Sequence, residues 1–225
     1  MPAARESLLD AAAAALARRP WSAVRMVDVA ASAGVSRQTL YNEFGGKDGL
    51  ARALVRREAD GYLAGVERAL AGPAAPRERL TAAAEWTAAA ARDNALVRAM
   101  LTGCWSERLP APPLAAVASS CAVPAQRRAD GPLPAPGDLL RAVRDRAVAA
   151  LAGPGVTPAD TAELARACEL AVRLAVSCVA APPGEGGMAE LVRAVFPRQA
   201  VRDAVPDADG RPSERTPTAG GRSPR

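Results

Sequence analysis

The sequence predicts an all-α protein, and three observations carry that reading. Apolar residues make up 49% of the chain, much of it alanine, while aromatics contribute only 3%, a composition that suits closely packed helices rather than pleated sheets. The runs of Val, Ile and Thr that favour strands are missing. Instead, apolar residues return every three or four positions between Gly and Pro breaks. The 225 residues leave room for one large domain or two small ones, and either can bury a core.

Taken in order, residues 5–17 place Leu9, Ala12, Ala13 and Leu16 at i, i+3, i+4 and i+7, the stripe of an amphipathic helix that stops at Arg18-Arg19-Pro20. Met26, Val29, Ala30 and Ala33 repeat the spacing over a shorter helix, and Gly34 follows where a left-handed residue would turn the chain. Ser36 is placed to cap the next helix by accepting from the backbone N–H of Gln38 or Thr39, with Leu40 and Phe44 on the inward side. Gly45-Gly46 ends that short helix. A longer one is expected from Lys47 to Leu70, burying Leu50, Leu54, Val66 and either Tyr62 or Leu63.

Past Gly72-Pro73, helices are expected over residues 77–92 and 95–105, followed by the run LPAPPL and a Pro/Gly-rich loop over residues 123–137. Asp138 is expected to cap a helix whose stripe is Leu140, Val143, Ala147 and Leu151. Thr157-Pro158-Ala159-Asp160 is a strong start signal, with Thr as N-cap, Pro in the first turn and an acid near the positive helix end. The helix it opens, to Ala180, carries the stripe Leu164, Cys168, Ala171, Ala175 and Cys178, with Ala167, Leu170 and Leu174 beside it. A helix apolar on so much of its surface is buried, within the fold or against a second subunit. A last helix covers residues 188–195. The tail, residues 206–225, is polar, rich in Pro and Gly and aperiodic, and is expected to be disordered.

Several function classes are excluded or disfavoured by composition. The chain has no histidine, which removes Ser-His-Asp and Cys-His catalysis and histidine-based zinc centres together. No catalytic residue, metal site or cofactor is proposed by any spacing. Cys104, Cys121, Cys168 and Cys178 lack CxxC spacing and are expected to be reduced packing residues; on one helix, Cys168 and Cys178 would stand about 15 Å apart along the axis, too far to bridge. No apolar stretch is long enough for a membrane span, since residues 170–181 contain Arg173. Without a secretory pattern at the N-terminus, a cytoplasmic location is expected. The net charge of +5 decides little, because acids and bases alternate along most of the chain.

The sharpest signal is GVSRQTLYNEFGGKDGL, residues 34–50, which holds the one lysine among 29 basic residues. Two short helices joined by a Gly-containing turn, the second exposing polar residues, are the layout of a helix-turn-helix DNA reader. With Leu40 and Phe44 turned inward, Arg37, Gln38, Tyr41 and Asn42 point outward. Gln and Asn can pair bidentately with adenine, Arg with guanine, and Thr39 and Tyr41 can donate hydroxyls to phosphates. Lys47 stands at the N-terminus of the fourth helix, where unpaired backbone N–H groups already favour an anion, so a DNA phosphate would suit it.

Asp28-Val29-Ala30, Ala33-Gly34-Val35-Ser36, Thr39-Leu40-Tyr41, Phe44, and Lys47 with Leu50 resemble the signature of the tetracycline-repressor (TetR) family. The resemblance covers residues 5–54. It implies a helix-turn-helix DNA-binding domain at residues 1–46, a helical effector-binding and dimerisation domain at residues 47–200, and a homodimer that releases a double-stranded DNA operator when a small molecule binds. The DNA-contacting set is then Arg25, Ser36, Arg37, Gln38, Thr39, Tyr41, Asn42 and Lys47. The sequence departs from the family at four places. Arg25 stands where Thr is frequent, Glu43 brings a carboxylate toward DNA, Gly46 replaces a more usual Ser cap, and Gly49 weakens the fourth helix by about 1 kcal/mol relative to alanine.

Beyond Gly72 the resemblance is to the general helical plan, and Arg173-Leu174-Ala175-Val176-Ser177 is similar to the dimerisation helices of some members. Leu140, Val143, Leu164, Ala171 and Ala175 are the expected dimer contacts, and Trp86, Met100, Cys104 and Trp105 the expected pocket lining. Two other readings stand beside the ligand-responsive repressor: a nonspecific architectural DNA-binding protein, and a small-molecule-binding or enzymatic helical domain with a vestigial reader.

Overall fold

The computed structural model describes residues 2–110, 133–153, 157–181, 183 and 187–195. Every regular element among them is helical, as the composition requires. Helix α1 spans Pro2–Arg18, and its buried side is Leu8, Leu9, Ala12 and Ala15, with Ala13 and Leu16 at the margin. A single 3-10 turn, Trp21–Ala23, follows; its Trp21 ring is buried and its Val24 neighbour closes the core there. Helices α2, Met26–Ser32, and α3, Arg37–Phe44, then pack on each other and on α1.

Helix α4 runs Lys47–Leu70. It buries Leu50, Leu54, Tyr62 and Val66, which settles the choice between Tyr62 and Leu63 in favour of the tyrosine. Helices α5, Pro76–Asp93, and α6, Ala95–Thr102, follow it. The helix expected to reach residue 105 stops at Thr102 because Gly103, with φ 74°, forms a left-handed C-cap whose N–H donates to Ala99.

Helix α7 is Pro136–Leu151, and here two expectations are corrected. Ala135 is the N-cap residue, and Asp138 sits one turn inside, where its carboxylate accepts from the Ala135 N–H at 2.9 Å. The inward stripe is Leu139, Val143, Ala147 and Leu151, so Leu139 rather than Leu140 faces the core; the i+4 step, kept throughout, selects it. Helix α8, Pro158–Ala180, begins as its start signal predicted, with Thr157 Oγ1 accepting from Asp160 N–H at 3.2 Å. Helix α9 is Gly187–Val195. The run LPAPPL past Pro110, Cys121, most of the 123–137 loop and the 206–225 tail lie outside the described residues.

One apolar core runs from Leu8 to Val192. Helix α4 threads it, touching α1 and α3 near its start and α5, α6 and α7 farther on. Helices α5 and α8 form the other main contact, with α7 and α9 against α8. Polar ties hold α4 from its middle to its end. Arg57 donates to Asp10 Oδ1 at 2.6 Å and to the Leu9 carbonyl at 3.2 Å on α1. Farther along, Asn94 donates to Glu58 Oε2 at 2.6 Å and Arg146 to Glu67 Oε1 at 2.7 Å. Arg79 donates through Nε to the carbonyl of Leu70, the last residue of α4, and through Nη2 to the carbonyl of Ala150 in α7 at 3.0 Å. Among the described residues no helix is long and apolar enough to cross a membrane.

Candidate nucleic-acid interface

The turn between α2 and α3 needs glycine at one position. Gly34 adopts φ 68°, a left-handed conformation that costs a side chain but not glycine, and Val35 N–H then returns to the Ala30 carbonyl at 3.1 Å. Ser36 is extended and caps α3, its Oγ accepting from Thr39 N–H at 3.0 Å and lying 2.8 Å from Thr39 Oγ1. At the far end Gly45, with φ 71°, donates to the Tyr41 carbonyl at 2.8 Å. Leu40 and Phe44 are buried, which fixes the roll of the helix.

That roll leaves Arg37, Gln38, Tyr41 and Asn42 exposed on one side, with Thr39 half-buried at its edge. Gln38 and Asn42, one turn apart, are already joined: Gln38 Nε2 donates to Asn42 Oδ1 at 2.8 Å. The pair therefore presents one carbonyl oxygen and one amide nitrogen in fixed relation, the acceptor-and-donor set that an adenine edge complements. Tyr41 is 41% exposed although its neighbour Leu40 is fully buried.

Two other members of the expected contact set, Ser36 and Lys47, have structural duties. Ser36 spends its hydroxyl on the cap. Arg25 is exposed at the start of α2 and provides no side-chain cap there. Lys47 is half-buried: its ammonium donates to the Ser22 carbonyl at 3.0 Å and lies 5.6 Å from the centre of the Trp21 ring. It thus pins the start of α4 to the 3-10 turn, and an ammonium with three N–H groups keeps donors for an anion beyond that bond. Trp21, which the sequence reading did not single out, is also the point where its backbone N–H reaches the Arg108 carbonyl at 2.8 Å, past α6.

Glu43, expected to trouble DNA, is met by Arg5 from α1. Arg5 Nη1 lies 3.6 Å from Glu43 Oε2 and donates to the Glu43 carbonyl at 3.5 Å, while its guanidinium carbon sits 4.7 Å above the Phe44 ring. Gly49, read from sequence as a weakness, has a packing reason: a Cβ there would lie 1.8 Å from the Phe44 carbonyl oxygen. The close crossing of α3 and α4 requires a residue without a side chain.

The expected pocket residues are dispersed in environment. Met100 is buried in the core, Trp86 and Trp105 are half-buried, and Cys104 is exposed just past α6. Trp86 donates through Nε1 to the Tyr62 carbonyl at 3.1 Å, and its ring occupies the space above Gly65. Next to it lies a buried hydroxyl pair the sequence reading missed. Thr87 Oγ1 donates to the Ala83 carbonyl at 2.9 Å, so the 3.1 Å contact with Tyr62 Oη is donated by the tyrosine; burial pushes the Tyr62 phenol up to about 12. Of the expected dimer contacts, Val143, Leu164, Ala171 and Ala175 are buried within the single chain and only Leu140 is half-exposed. The outward faces of α7 and α8 instead carry Leu140, Arg144, Leu170, Arg173 and Leu174, with Leu170 52% exposed. On that face Glu169 is held below the usual carboxylate range by Arg173, with Arg144 adding to it.

Residues 8–54 match the family model for bacterial regulatory proteins of the tetR family. That segment is thus similar to the helix-turn-helix of TetR-family regulators. Over 66 residues it is 48% identical to the HTH-type transcriptional regulator AlkX of Mycobacterium tuberculosis, covering 29% of this chain and 31% of that protein. Over 81 residues it is 38% identical to the HTH-type transcriptional activator FasR of Mycolicibacterium smegmatis, covering 36% of this chain and 37% of that protein. The chain thus spans about a third of the length of these curated relatives. Across the fold, the TetR-family repressor AlkX from Dietzia sp., implicated in biodegradation of n-alkanes, superposes with a TM-score of 0.51 at 21% identity, over 89% of this chain and 97% of that one. A tetR-family regulator from Streptomyces coelicolor does so at 0.50 and 17%, over 90% and 79%. These superpositions extend the TetR-like fold past residue 54; they speak to fold alone.

Proposed function

We propose that this protein is a ligand-responsive transcriptional repressor of the TetR family that binds a palindromic operator as a homodimer in the cytoplasm and leaves it when a small molecule binds. Residues 1–46 are the reader, and residues 47–200 hold the effector and the partner subunit. The observation that carries the reading is the outward side of α3, where Arg37, Tyr41 and the joined Gln38–Asn42 pair stand on a helix fixed at both ends. A polar side built this way suits direct contact with base edges in a major groove. Arg25, Thr39 and Lys47 flank it as phosphate contacts.

The dimer surface that best fits the exposure pattern is the outward side of α7 and α8, around Leu140, Leu170 and Leu174. The effector we propose is a small, mainly apolar molecule, because α4, α5 and α6 offer Leu, Ala, Met100 and Trp86, with the Tyr62 and Thr87 hydroxyls as orienting groups. A ligand that binds more tightly to one spacing of the two readers than to the other weakens operator binding by that difference.

The test is selection of bound fragments from randomised DNA by the full chain, followed by affinity measurement over a range of salt. A palindromic consensus with half-sites about 34 Å apart and steep salt dependence is the expected result, lost in Gln38→Ala and Tyr41→Ala. A chain that binds all duplexes alike would overturn it in favour of an architectural role.

A further inference from the structure

Arg5 lies 38 residues before the carboxylate it meets, on a different helix. Thr39 and Glu43 are four residues apart on α3 and so share one flank of the recognition helix, a turn from each other. A phosphate approaching the Thr39 edge would meet the Glu43 carboxylate, and with it the negative end of the α3 dipole. Arg5 answers both: it faces the carboxylate, donates to the Glu43 carbonyl in the last turn, and rests on Phe44.

We propose that Arg5 is a positioning residue for DNA binding, which neutralises Glu43 on the recognition helix and so allows the sugar-phosphate backbone to approach that flank. The proposal rests on the DNA-reading function argued above. Both side chains are partly exposed, at 34% and 25%, so the pair contributes little to folding. Its effect is on the encounter with a polyanion, where taking one cation from beside a carboxylate makes that flank less favourable to phosphate.

The experiment is a double-mutant cycle in the full chain, using the duplex that the unmodified protein enriches from a randomised pool. Arg5→Gln is expected to weaken binding about fivefold to tenfold. Glu43→Gln alone should bind as tightly as the parent or more so. Adding Arg5→Gln to Glu43→Gln should then change affinity by less than about twofold, because the charge that Arg5 answers is gone. Arg5→Lys, which keeps the charge, should retain most of the affinity. Arg5→Met keeps the contact with Phe44 and carries the same comparison if Arg5→Gln melts early.

An equal loss in both Glu43 backgrounds would overturn the proposal. If that loss came with a salt slope lower by about one, Arg5 would be a direct phosphate contact; with an unchanged slope, it would be a structural strut. Gln38→Ala separates the two levels of inference. If it leaves the preference for the selected duplex intact, the DNA reading itself fails; if it abolishes the preference while the cycle shows no coupling, only the role of Arg5 fails.

Discussion

Between the first three helices and the bundle that follows, the core changes character. The head is closed by large side chains, Leu8, Leu9, Trp21, Leu40 and Phe44, each filling a space between short helices. On α5 and α8 alanine is the commonest buried residue, Ala83, Ala84, Ala88 and Ala91 on one and Ala167, Ala171 and Ala175 on the other. Short helices meet at few points and need bulk at each; long helices lying side by side gain by close approach and need smallness. The head should therefore fail when side chains are cut back, and the bundle when they are enlarged.

The largest expected effect follows from that contrast. Leu40→Ala removes a fully buried knob and is expected to cost about 2–5 kcal/mol, read as a lower midpoint in urea denaturation and loss of operator binding. Ala171→Leu, at a position with no exposure, should cost about 1–3 kcal/mol through overpacking. Leu170→Ala, on the outward side of the same helix, should leave the fold of one subunit unchanged and weaken self-association in sedimentation. If Ala171→Leu proved silent and Leu170→Ala costly to folding, the assignment of inner and outer faces on α8 would be wrong.

Next in size are the two tight glycines. Gly49→Ala gains about 1 kcal/mol of helix propensity but drives Cβ to 1.8 Å from a backbone oxygen of α3, so a net loss is expected, accompanied by weaker DNA binding. Gly65→Ala meets the Trp86 ring at 2.1 Å, and there the yielding partner is a side chain. Its signature should be a change in tryptophan fluorescence, with DNA affinity in the absence of effector close to the parent's. The caps come third. Ser36→Ala and Asn94→Ala each lose a side-chain acceptor to helix N–H groups and should cost about 1 kcal/mol. The first should reduce operator affinity as well as melting temperature; the second should act mainly on melting temperature.

The last effect is absent near neutrality and appears only in alkali. Burial raises the Cys168 thiol from its ordinary 9.0 to about 12, and Tyr62 from 10.0 to about 12. The unfolded chain gives up these protons first, so the stability they represent is full below pH 9 and is lost as pH climbs toward 12. Cys168→Ala should flatten the fall of melting temperature over that window.

The legible parts of the molecule were those written in consecutive residues. Gly34, Ser36 and Gly45 each act within four residues of themselves, so their roles could be read directly, as could both ends of α4 and the Thr157 start of α8. The family signature spans the same short stretch. On α8, two adjoining stripes were apolar, and periodicity cannot say which turns inward; the stripe assigned to the partner subunit proved to be the one buried in its own chain. Arg5 with Glu43, Lys47 with Ser22 and Trp21 with Arg108 join residues far apart in sequence. Such pairs leave no periodic trace, and only the fold brings them together. Glu43 and Gly49 looked like defects while their partners were unknown.

The fork of Arg79 has a mechanical corollary. One guanidinium bonds the terminal carbonyl of α4 and a carbonyl in the last turn of α7, two negative ends that would otherwise repel. Drawing those ends apart therefore requires severing a bond to Arg79. The rod that leaves the short helices at Lys47 is thereby moored at its far tip to the close of α7 by a side chain of α5.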